Sequence, residues 1–266
     1  MAGTLGQEAA AVSAKPMLET RDVVKRFGGV VALDGVSISV PERGFILLIG
    51  PNGSGKTTLV NVITGFLKPD HGRVFYKGRD ITGLPPHQIA KMGIIRTFQI
   101  PKPFMNLTVL ENLLVARFGH PGENPYSAPL SKRSWLRFER ESVSKAFTIL
   151  KWLGLEKSWD HKATELSGAE LKLLEVGRAL MSGAKMMIMD EPAAGVNPTQ
   201  AHEIFATLTR LREEQGITFL VIEHRIDIAA RYVDYIYAMH LGKVISQGPP
   251  DKVLRDPVVI ESYIGG

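Results

Sequence analysis

The feature that most constrains this chain is a glycine-rich octapeptide between an apolar run and a helical pattern. Residues 50–57 read Gly-Pro-Asn-Gly-Ser-Gly-Lys-Thr and fit the pattern G-x-x-x-x-G-K-[ST]. The apolar run 45–49 precedes them, and residues 56–66 have the apolar spacing of a helix. Glycine lets a backbone wrap closely enough for its N–H groups to face phosphate oxygens, and the positive end of the helix points at the same oxygens. The octapeptide therefore predicts a phosphate-binding loop; the alternative is a glycine-rich structural turn.

Two side chains of this loop have distinct chemical roles in such a site. We expect the ammonium group of Lys56 to reach the β- and γ-phosphates of a nucleotide, and the hydroxyl of Thr57 to bind Mg²⁺. The residues of this segment expected to contact the nucleotide are Gly50, Pro51, Asn52, Gly53, Ser54, Gly55, Lys56, Thr57 and Thr58.

A second apolar run, 186–189, ends in the acidic pair Asp190 and Glu191. At the carboxyl end of a strand, Asp190 is placed to hold Mg²⁺, directly or through water. Glu191 is placed to act as the general base that polarises an attacking water, a role that supplies about 10²- to 10⁴-fold in rate. The alternative is a solvated acidic turn before Pro192.

Gln99 and His224 follow two further apolar runs, 93–98 and 219–223. Isolated residues of these types are more often surface or packed residues. The carboxyl ends of parallel strands converge on one crevice, however, and in that setting both side chains are candidate contacts of the γ-phosphate or the attacking water.

Short β-branched runs alternate with longer amphipathic runs, which predicts an α/β domain with a largely parallel sheet. Runs 36–40 and 45–49 predict two strands with a tight connection at 41–44. The middle of the chain differs because its pattern is helical.

Helical spacing covers 108–116 and 134–153, and glycine and proline between 118 and 131 indicate a loop. We therefore predict a helical lobe at about 100–164, inserted into a sheet domain that spans 17–266. Residues 1–16 hold small and polar residues without the basic start and apolar stretch of a secretion signal, and they are expected to form a loose tail.

The composition of the chain excludes several kinds of site and a membrane-spanning segment. The chain has no cysteine, which excludes disulfides, thiolate metal sites and cysteine nucleophiles. No apolar run approaches the roughly 18 to 20 residues needed to cross a bilayer. The net charge of +5 is scattered along the chain, which favours a solvated surface over a nucleic-acid-binding face, although it could also favour an anionic membrane surface.

Taken together, these segments resemble the ATP-binding cassette (ABC) ATPases from about Met17 onward. The signature peptide of that family, usually Leu-Ser-Gly-Gly-Gln, has its counterpart in Leu-Ser-Gly-Ala-Glu at 166–170, just before a helical pattern. The resemblance implies a P-loop NTPase fold of RecA-like type, with the helical lobe inserted, and a head-to-tail dimer. ATP would then lie between the phosphate loop of one chain and the signature of another, contacting Ser167, Gly168, Ala169 and Glu170. Without the resemblance, Ser167 with Gly168 would pass as a helix cap.

The resemblance also implies roles for single residues. Phe27 falls where the family has an aromatic residue that stacks on adenine, although ordinary core packing is the alternative. Gln99 matches the family's Q-loop residue, a metal ligand and part of the catalytic set, and His224 matches its switch histidine. Asp190 and Glu191 match the Walker B pair. The cofactors implied are ATP and Mg²⁺.

Finer similarity points to the ATPases of branched-chain amino acid importers, with urea and short-amide importers sharing the pattern. The segments that carry it are 83–86, 89–99, 191–198 and 258–265. This branch implies as partners two membrane permease subunits, a second ABC ATPase (identical or different) and an extracytoplasmic solute-binding protein, but no nucleic acid. It implies a peripheral location on the cytoplasmic face of the cell membrane. The alternatives are the ATPase of a lipid or lipopolysaccharide exporter, and a soluble cassette acting on ribosomes or DNA.

Three positions depart from the general family pattern. Ala169 replaces the second signature glycine and is expected to add a Cβ near the phosphate path, Glu170 replaces glutamine, and Asn197 stands where an aspartate is usual. If importers of this branch pair two different ATPases, the altered signature would weaken one of two unequal sites, and Ala169→Gly would then raise the ATPase turnover of the assembled complex.

Overall fold

The computed structural model describes residues 16–97, 103–119 and 132–264. Its strands are β1 (Pro16–Phe27), β2 (Val30–Pro41), β3 (Phe45–Ile49), β4 (His71–Tyr76), β5 (Arg79–Asp80), β6 (Ile94–Thr97), β7 (Met186–Asp190), β8 (Thr218–Ile222), β9 (Tyr235–His240) and β10 (Lys243–Gly248). Its α-helices are α1 (Lys56–Ile63), α2 (Pro86–Lys91), α3 (Val109–Val115), α4 (Lys132–Leu153), α5 (Gly168–Met181), α6 (Pro198–Gln215), α7 (Ile226–Ala229), α8 (Pro250–Val253) and α9 (Pro257–Ile264). Among the residues described, none of these helices is long and apolar enough to cross a membrane.

The central sheet has six strands in the order β10-β9-β3-β8-β7-β6. Its neighbours from β9 to β6 are parallel, and only β10 pairs antiparallel, with β9. The predicted largely parallel sheet is therefore confirmed. Because parallel strands end at the same edge, the residues that follow β3, β7 and β8 come together there.

Both faces of this sheet are covered, which explains why its strands are continuous apolar runs. All five residues of β3 are buried. Phe45, Leu47 and Ile49 belong to one hydrophobic cluster, and Ile46 and Leu48 belong to the other, as the alternation of side chains along a strand requires.

A second sheet, with the antiparallel order β2-β1-β4-β5, was not predicted from the sequence. The two predicted strands at 36–40 and 45–49 exist and are joined by a tight turn, in which Gly44 N–H donates to the Pro41 carbonyl at 3.0 Å. They do not pair with each other: β2 pairs with β1, whereas β3 pairs with β8 and β9. The turn thus carries the chain from one sheet to the other. Strand β1 also begins at Pro16, within the segment expected to be a tail.

The helices between β6 and β7 pack closely at one glycine. A Cβ at Gly177 of α5 would lie 2.8 Å from Leu153 Cδ1 and 2.9 Å from Leu113 Cδ2, so α3, α4 and α5 meet where only a hydrogen fits. Helix α3 begins with a capping box, because Thr108 Oγ1 accepts from Glu111 N–H and the Glu111 carboxylate accepts from Thr108 N–H. Helix α5 therefore packs against α3 and α4, which lie in the predicted lobe at about 100–164.

Candidate nucleotide-binding site

The glycine-rich loop follows β3 directly and leads into α1, as expected. A Cβ at Gly50 would lie 2.2 Å from the Met239 carbonyl oxygen, and one at Gly55 would lie 2.6 Å from the Ala32 carbonyl oxygen. Both glycines also have positive φ, 151° and 102°. Larger residues are therefore excluded at both positions by contact and by conformation. Among the residues that the structure describes, no side chain caps α1 at Gly55, so the amides of its first turn can bind a ligand.

Lys56 folds back over this loop. Its buried Nζ donates to the carbonyl oxygens of Gly50 at 2.7 Å and Pro51 at 2.9 Å, and to Ser54 Oγ at 3.3 Å. Burial lowers the pKa of Lys56, and the charges of Asp190 and Glu191 partly offset that effect. The ammonium group is thus held at the loop by weak neutral acceptors, from which an anionic phosphate could draw it.

The acidic pair lies at the end of β7, as predicted. Glu191 has a left-handed backbone with φ 50°, and its N–H donates to the Ile222 carbonyl of β8 at 2.8 Å. Its Oε1 lies 3.2 Å from Nε2 of His224, which is exposed. The structure therefore brings the predicted base and the predicted switch histidine into contact. A left-handed backbone at a bulky residue such as Glu191 costs about 1 to 2 kcal/mol of conformational free energy. The surrounding contacts must therefore hold this residue in place.

Glu223 is a residue of this edge that sequence reasoning missed. It is only 2% exposed, and its carboxylate accepts from three backbone N–H groups: Ala193 at 2.7 Å, His224 at 2.9 Å and Arg225 at 3.1 Å. It thereby joins the turn after β7 to the turn after β8. The one signal in the sequence was a charged residue at the end of an apolar run.

Lys172 of α5 was also missed. It is 8% exposed, and its Nζ lies 3.4 Å from the Glu191 carbonyl oxygen. Burial lowers the pKa of Lys172, and nearby acids, Glu223 first, partly offset that effect. This lysine connects the helix that begins at the signature peptide with the turn that carries the predicted base.

A third missed residue, Arg96 of β6, contacts the predicted metal ligand. Its Nη2 lies 3.1 Å from Asp190 Oδ2, and its Nη1 donates to Asn61 Oδ1 of α1 at 2.5 Å. The side chains of Arg96 and Asp190 are 10% and 17% exposed. The sequence offered no signal for this pair, because 94 positions separate its members.

These residues surround a cavity of about 450 Å³. Its polar end is lined by Asn52, Gly53, Ser54, Gly55, Lys56, Thr57, Thr58, Asp190, Glu191 and His224. Its other end is apolar and is lined by Phe27, Val30, Val31 and Leu241. Phe27 is 47% exposed, so the alternative of core packing is wrong for it. A larger cavity of about 570 Å³ lies elsewhere and contains none of the predicted site residues.

Leu241 is the apolar lining residue that the sequence did not reveal. It is 73% exposed and has a left-handed backbone with φ 45° in the turn between β9 and β10. The next residue, Gly242, donates to the Ser54 carbonyl at 3.1 Å and accepts from Asp34 N–H at 2.9 Å. The turn therefore links the phosphate loop to β2, which carries part of the apolar end.

The donor set at the polar end fits Mg²⁺. Thr57 and Asp190 both line the cavity beside Lys56, and hydroxyl and carboxylate oxygens are the ligands this hard cation takes, with the remaining positions left to water and phosphate. The third predicted ligand, Gln99, lies outside the described residues.

The signature residues lie apart from this cavity within one chain. Ser167 caps α5 with a capping box, in which its Oγ accepts from Glu170 N–H at 3.3 Å and Glu170 Oε2 accepts from Ser167 N–H at 2.8 Å. The helix-cap interpretation is therefore correct as structure, and Ser167 and Gly168 remain exposed for a ligand from outside the chain.

The expectation for Ala169 was wrong. It is 5% exposed, and its side chain belongs to a hydrophobic cluster, so the Cβ points into the core and adds no bulk to a phosphate path. Asn197 has a structural role as well, because it caps α6 by accepting from Gln200 N–H at 2.9 Å. Asparagine and aspartate cap helices about equally well.

Comparisons with known proteins identify the family of the chain. Residues 33–194 match the family model described as ABC transporter. The chain is 51% identical over 253 residues to the probable branched-chain amino acid transport ATP-binding protein LivG of Methanocaldococcus jannaschii, covering 94% of this chain and 97% of that one. It is 36% identical over 251 residues to the high-affinity branched-chain amino acid transport ATP-binding protein BraF of Pseudomonas aeruginosa, covering 94% and 98%.

Solved structures give the same result. The ADP conformation of an ATP-binding cassette of an ABC transporter superposes with a TM-score of 0.83 at 51% identity, covering 94% of this chain and 99% of that one. A dimeric post-hydrolysis cassette bound to ADP and Pi superposes with a TM-score of 0.69 at 27% identity, covering 88% and 99%. The chain therefore belongs to the ABC transporter family, as one of its ATP-binding cassettes.

Proposed function

We propose that this chain hydrolyses ATP to drive a membrane importer of branched-chain amino acids or of related amides and urea. The observation that carries the proposal is the convergence of Lys56, Asp190, Glu191 and His224 on one cavity. The names of the relatives, which match over nearly their whole lengths, support the transported class.

The nucleotide binds along the cavity with its base at the apolar end. Phe27 offers a half-exposed ring for stacking, and Val30 and Leu241 extend the apolar surface beside it. The phosphates lie against the loop amides and the start of α1, and Lys56 exchanges its contacts with loop carbonyls for phosphate oxygens. Thr57 and Asp190 would hold Mg²⁺, which would neutralise negative charge on the phosphates.

Hydrolysis begins when Glu191 takes a proton from a water placed in line with the γ-phosphate. The water oxygen bonds to the γ-phosphorus while the bond to the ADP oxygen breaks, which leaves ADP and inorganic phosphate. His224 lies within 3.2 Å of Glu191 and so can orient its carboxylate or contact the γ-phosphate. The buried carboxylate of Glu223 keeps the two turns that carry these groups in register.

A second chain completes the site. Ser167 and the exposed start of α5 form an anion-binding group. These residues are not among those that line the described cavity of the same chain. The relative seen as a dimer bound to ADP and Pi supports this arrangement. Lys172 then connects the signature helix of each chain to its own Glu191 turn.

A cleft on the outer side of β6 suits the permease subunits. It has a volume of about 380 Å³ and is lined in part by Ile95, Thr97, Val115 and Phe118. Val115 and Phe118 are 58% and 56% exposed, and exposed apolar side chains grouped at a cleft are typical of sites that receive an apolar helix.

Uptake into sealed vesicles tests the proposal. The chain is co-reconstituted with two permease subunits and a solute-binding protein of a branched-chain amino acid importer, and uptake of labelled leucine is measured with ATP. We expect ATP-dependent uptake that excess valine or isoleucine suppresses. Suppression by urea or acetamide alone would move the substrate to the amide class, and ATP-dependent export of lipid would contradict the import assignment.

A further inference from the structure

The ion pair between Arg96 and Asp190 joins an edge strand to the predicted magnesium ligand. Arg96 lies in register with Ile188 on β7, two residues before Asp190, so its side chain reaches along the sheet to the end of the neighbouring strand. Its guanidinium group then contacts two elements at once: the carboxylate after β7 at 3.1 Å and the Asn61 amide oxygen of α1 at 2.5 Å.

This geometry fixes the direction of the Asp190 carboxylate. Nη2 of Arg96 donates a hydrogen bond to Asp190 Oδ2. Because the guanidinium group is planar and holds this oxygen, the carboxylate cannot rotate without breaking the bond. Within the described part of the chain no hydrogen bond to Oδ1 is found, so Oδ1 can take another ligand. Asn61 holds the other end of the guanidinium, and because α1 also carries Lys56 and Thr57 at its start, the bridge sets Asp190 against the loop residues that share the site.

The burial of the pair makes it costly unless it is well paired. Both side chains are more than four-fifths buried, and breaking a buried pair by removing one partner is more harmful than removing both. A pure packing role, however, would be met by an apolar residue. A charged fork aimed at the metal-binding carboxylate and at the helix of the phosphate loop suits positioning instead.

Strand β6 lies between the cleft and the Asp190 carboxylate. Its residues 95–97 line the cleft of about 380 Å³, while the Arg96 side chain lies over the opposite face of the sheet with α1. The edge strand β6 thus borders the cleft, and its Arg96 side chain contacts Asp190. A shift of β6 would move the Arg96 fork and the carboxylate with it.

We propose that Arg96 is a positioning residue that presents the Asp190 carboxylate to Mg²⁺ and ties it to the strand bordering the cleft. The proposal rests on the proposed function, since it needs a nucleotide and Mg²⁺ at this site. It does not make Arg96 a catalytic residue, because the side chain contacts Asp190 and Asn61 and acts through them.

The test measures the affinity for a non-hydrolysable ATP analogue in excess Mg²⁺ and in EDTA. The ratio of the two affinities is the magnesium gain. Removing a group that orients a metal ligand typically costs 10- to 100-fold in metal affinity, so Arg96→Gln should lower the magnesium gain about tenfold and leave the affinity in EDTA nearly unchanged. Arg96→Lys, which keeps the charge but cannot bridge both partners, should lower it by a smaller factor.

Arg212→Gln provides the matched control. Arg212 donates to Asp234 at 2.6 Å outside the nucleotide cavity, in an ion pair whose arginine is largely buried and whose aspartate is half exposed, so its loss should lower the melting temperature without changing the magnesium gain. Asn61→Ala should lower the gain in the same direction as Arg96→Lys, and the double variant should lose less than the product of the two factors.

The outcomes separate cleanly. If Arg96→Gln does not fold, Arg96→Lys carries the test. A magnesium gain that is unchanged or larger in the folded variants overturns the proposal, as does an equal loss of affinity in Mg²⁺ and EDTA, which is what a merely structural residue would give. A wild-type chain that does not bind the analogue at all would instead contradict the proposed function.

Discussion

At Glu191 the backbone is left-handed, the N–H is bonded to β8, the carbonyl faces Lys172 and the carboxylate meets His224. These contacts come from two distant parts of the chain: Ile222 and His224 at the end of β8, and Lys172 of α5. The position of the base is therefore fixed from several sides before any nucleotide binds, as expected for a group that must act without reorganising.

Replacing this carboxylate tests its role. Glu191→Gln keeps the size and the backbone contacts but removes the proton acceptor, so we expect ATP turnover to fall by about 10²- to 10⁴-fold with ATP affinity nearly unchanged. Steady-state phosphate release and equilibrium binding measure the two effects. Glu213→Gln, an exposed acid on α6, is the control and should change neither. A Glu191→Gln chain with normal turnover would assign the base to another group.

Leu241 combines high exposure with an unfavourable backbone. Leu241→Asn places a residue there that accepts positive φ, so stability should be maintained or rise. It also removes the apolar contact beside the base, so affinity for ADP should fall about 3- to 10-fold while affinity for pyrophosphate should not change. Competition against a fluorescent nucleotide measures both. Equal losses for ADP and pyrophosphate would show that Leu241 does not contact the base.

At the scale of secondary-structure elements, substitutions at Ala169 and Gly177 of α5 distinguish a packing role from a functional role. Ala169→Gly removes a buried methyl group in the first turn, so the free energy of unfolding should fall by about 1 kcal/mol and turnover should not rise. Thermal melting and phosphate release measure these effects. A rise in turnover without loss of stability would restore the idea that the Ala169 methyl obstructs the phosphate path.

Gly177→Ala tests the meeting point of α3, α4 and α5. The new Cβ would lie under 3 Å from Leu153 and Leu113, and overpacking of this kind costs about 1 to 3 kcal/mol despite the better helix propensity of alanine. Gly168→Ala on the same helix is the control, because its Cβ would meet only Val196 at 3.6 Å. Denaturant unfolding should show a loss for the first variant alone, and equal stabilities would disprove the close contact.

The elements also show which parts of the site a sequence can predict. The phosphate loop and the acids after β7 were predictable because each depends on consecutive residues: a glycine pattern after a strand, and charges at the end of an apolar run. Arg96, Lys172 and Glu223 were not, because their partners lie 94, 19 and 30 positions away. Part of the antiparallel sheet was missed for a similar reason, since β1 pairs with β4 across a long separation, although β1 and β2 are neighbours in the chain.

At the scale of the whole molecule, the signature residues of a chain do not line the nucleotide cavity of that same chain. Nucleotide that bridges two chains should therefore control association. We expect the Glu191→Gln chain to be a dimer with MgATP and a monomer with MgADP or without nucleotide, as measured by light scattering. Ser167→Arg, which places bulk and charge at the exposed start of α5, should prevent this dimer without weakening nucleotide binding to the single chain. A dimer insensitive to Ser167 would place the contact elsewhere.

The central claim is that the terminal phosphate is caught between Lys56 with its loop amides and the acids that end β7. Calorimetric titration of the Glu191→Gln chain with ATP, with and without Mg²⁺, tests it most directly. We predict saturable binding near one nucleotide per chain, strengthened by Mg²⁺ and weakened roughly 10- to 100-fold by Lys56→Ala, which removes a charge-assisted contact. The absence of Mg²⁺-dependent binding, or binding that Lys56→Ala leaves intact, would contradict the account.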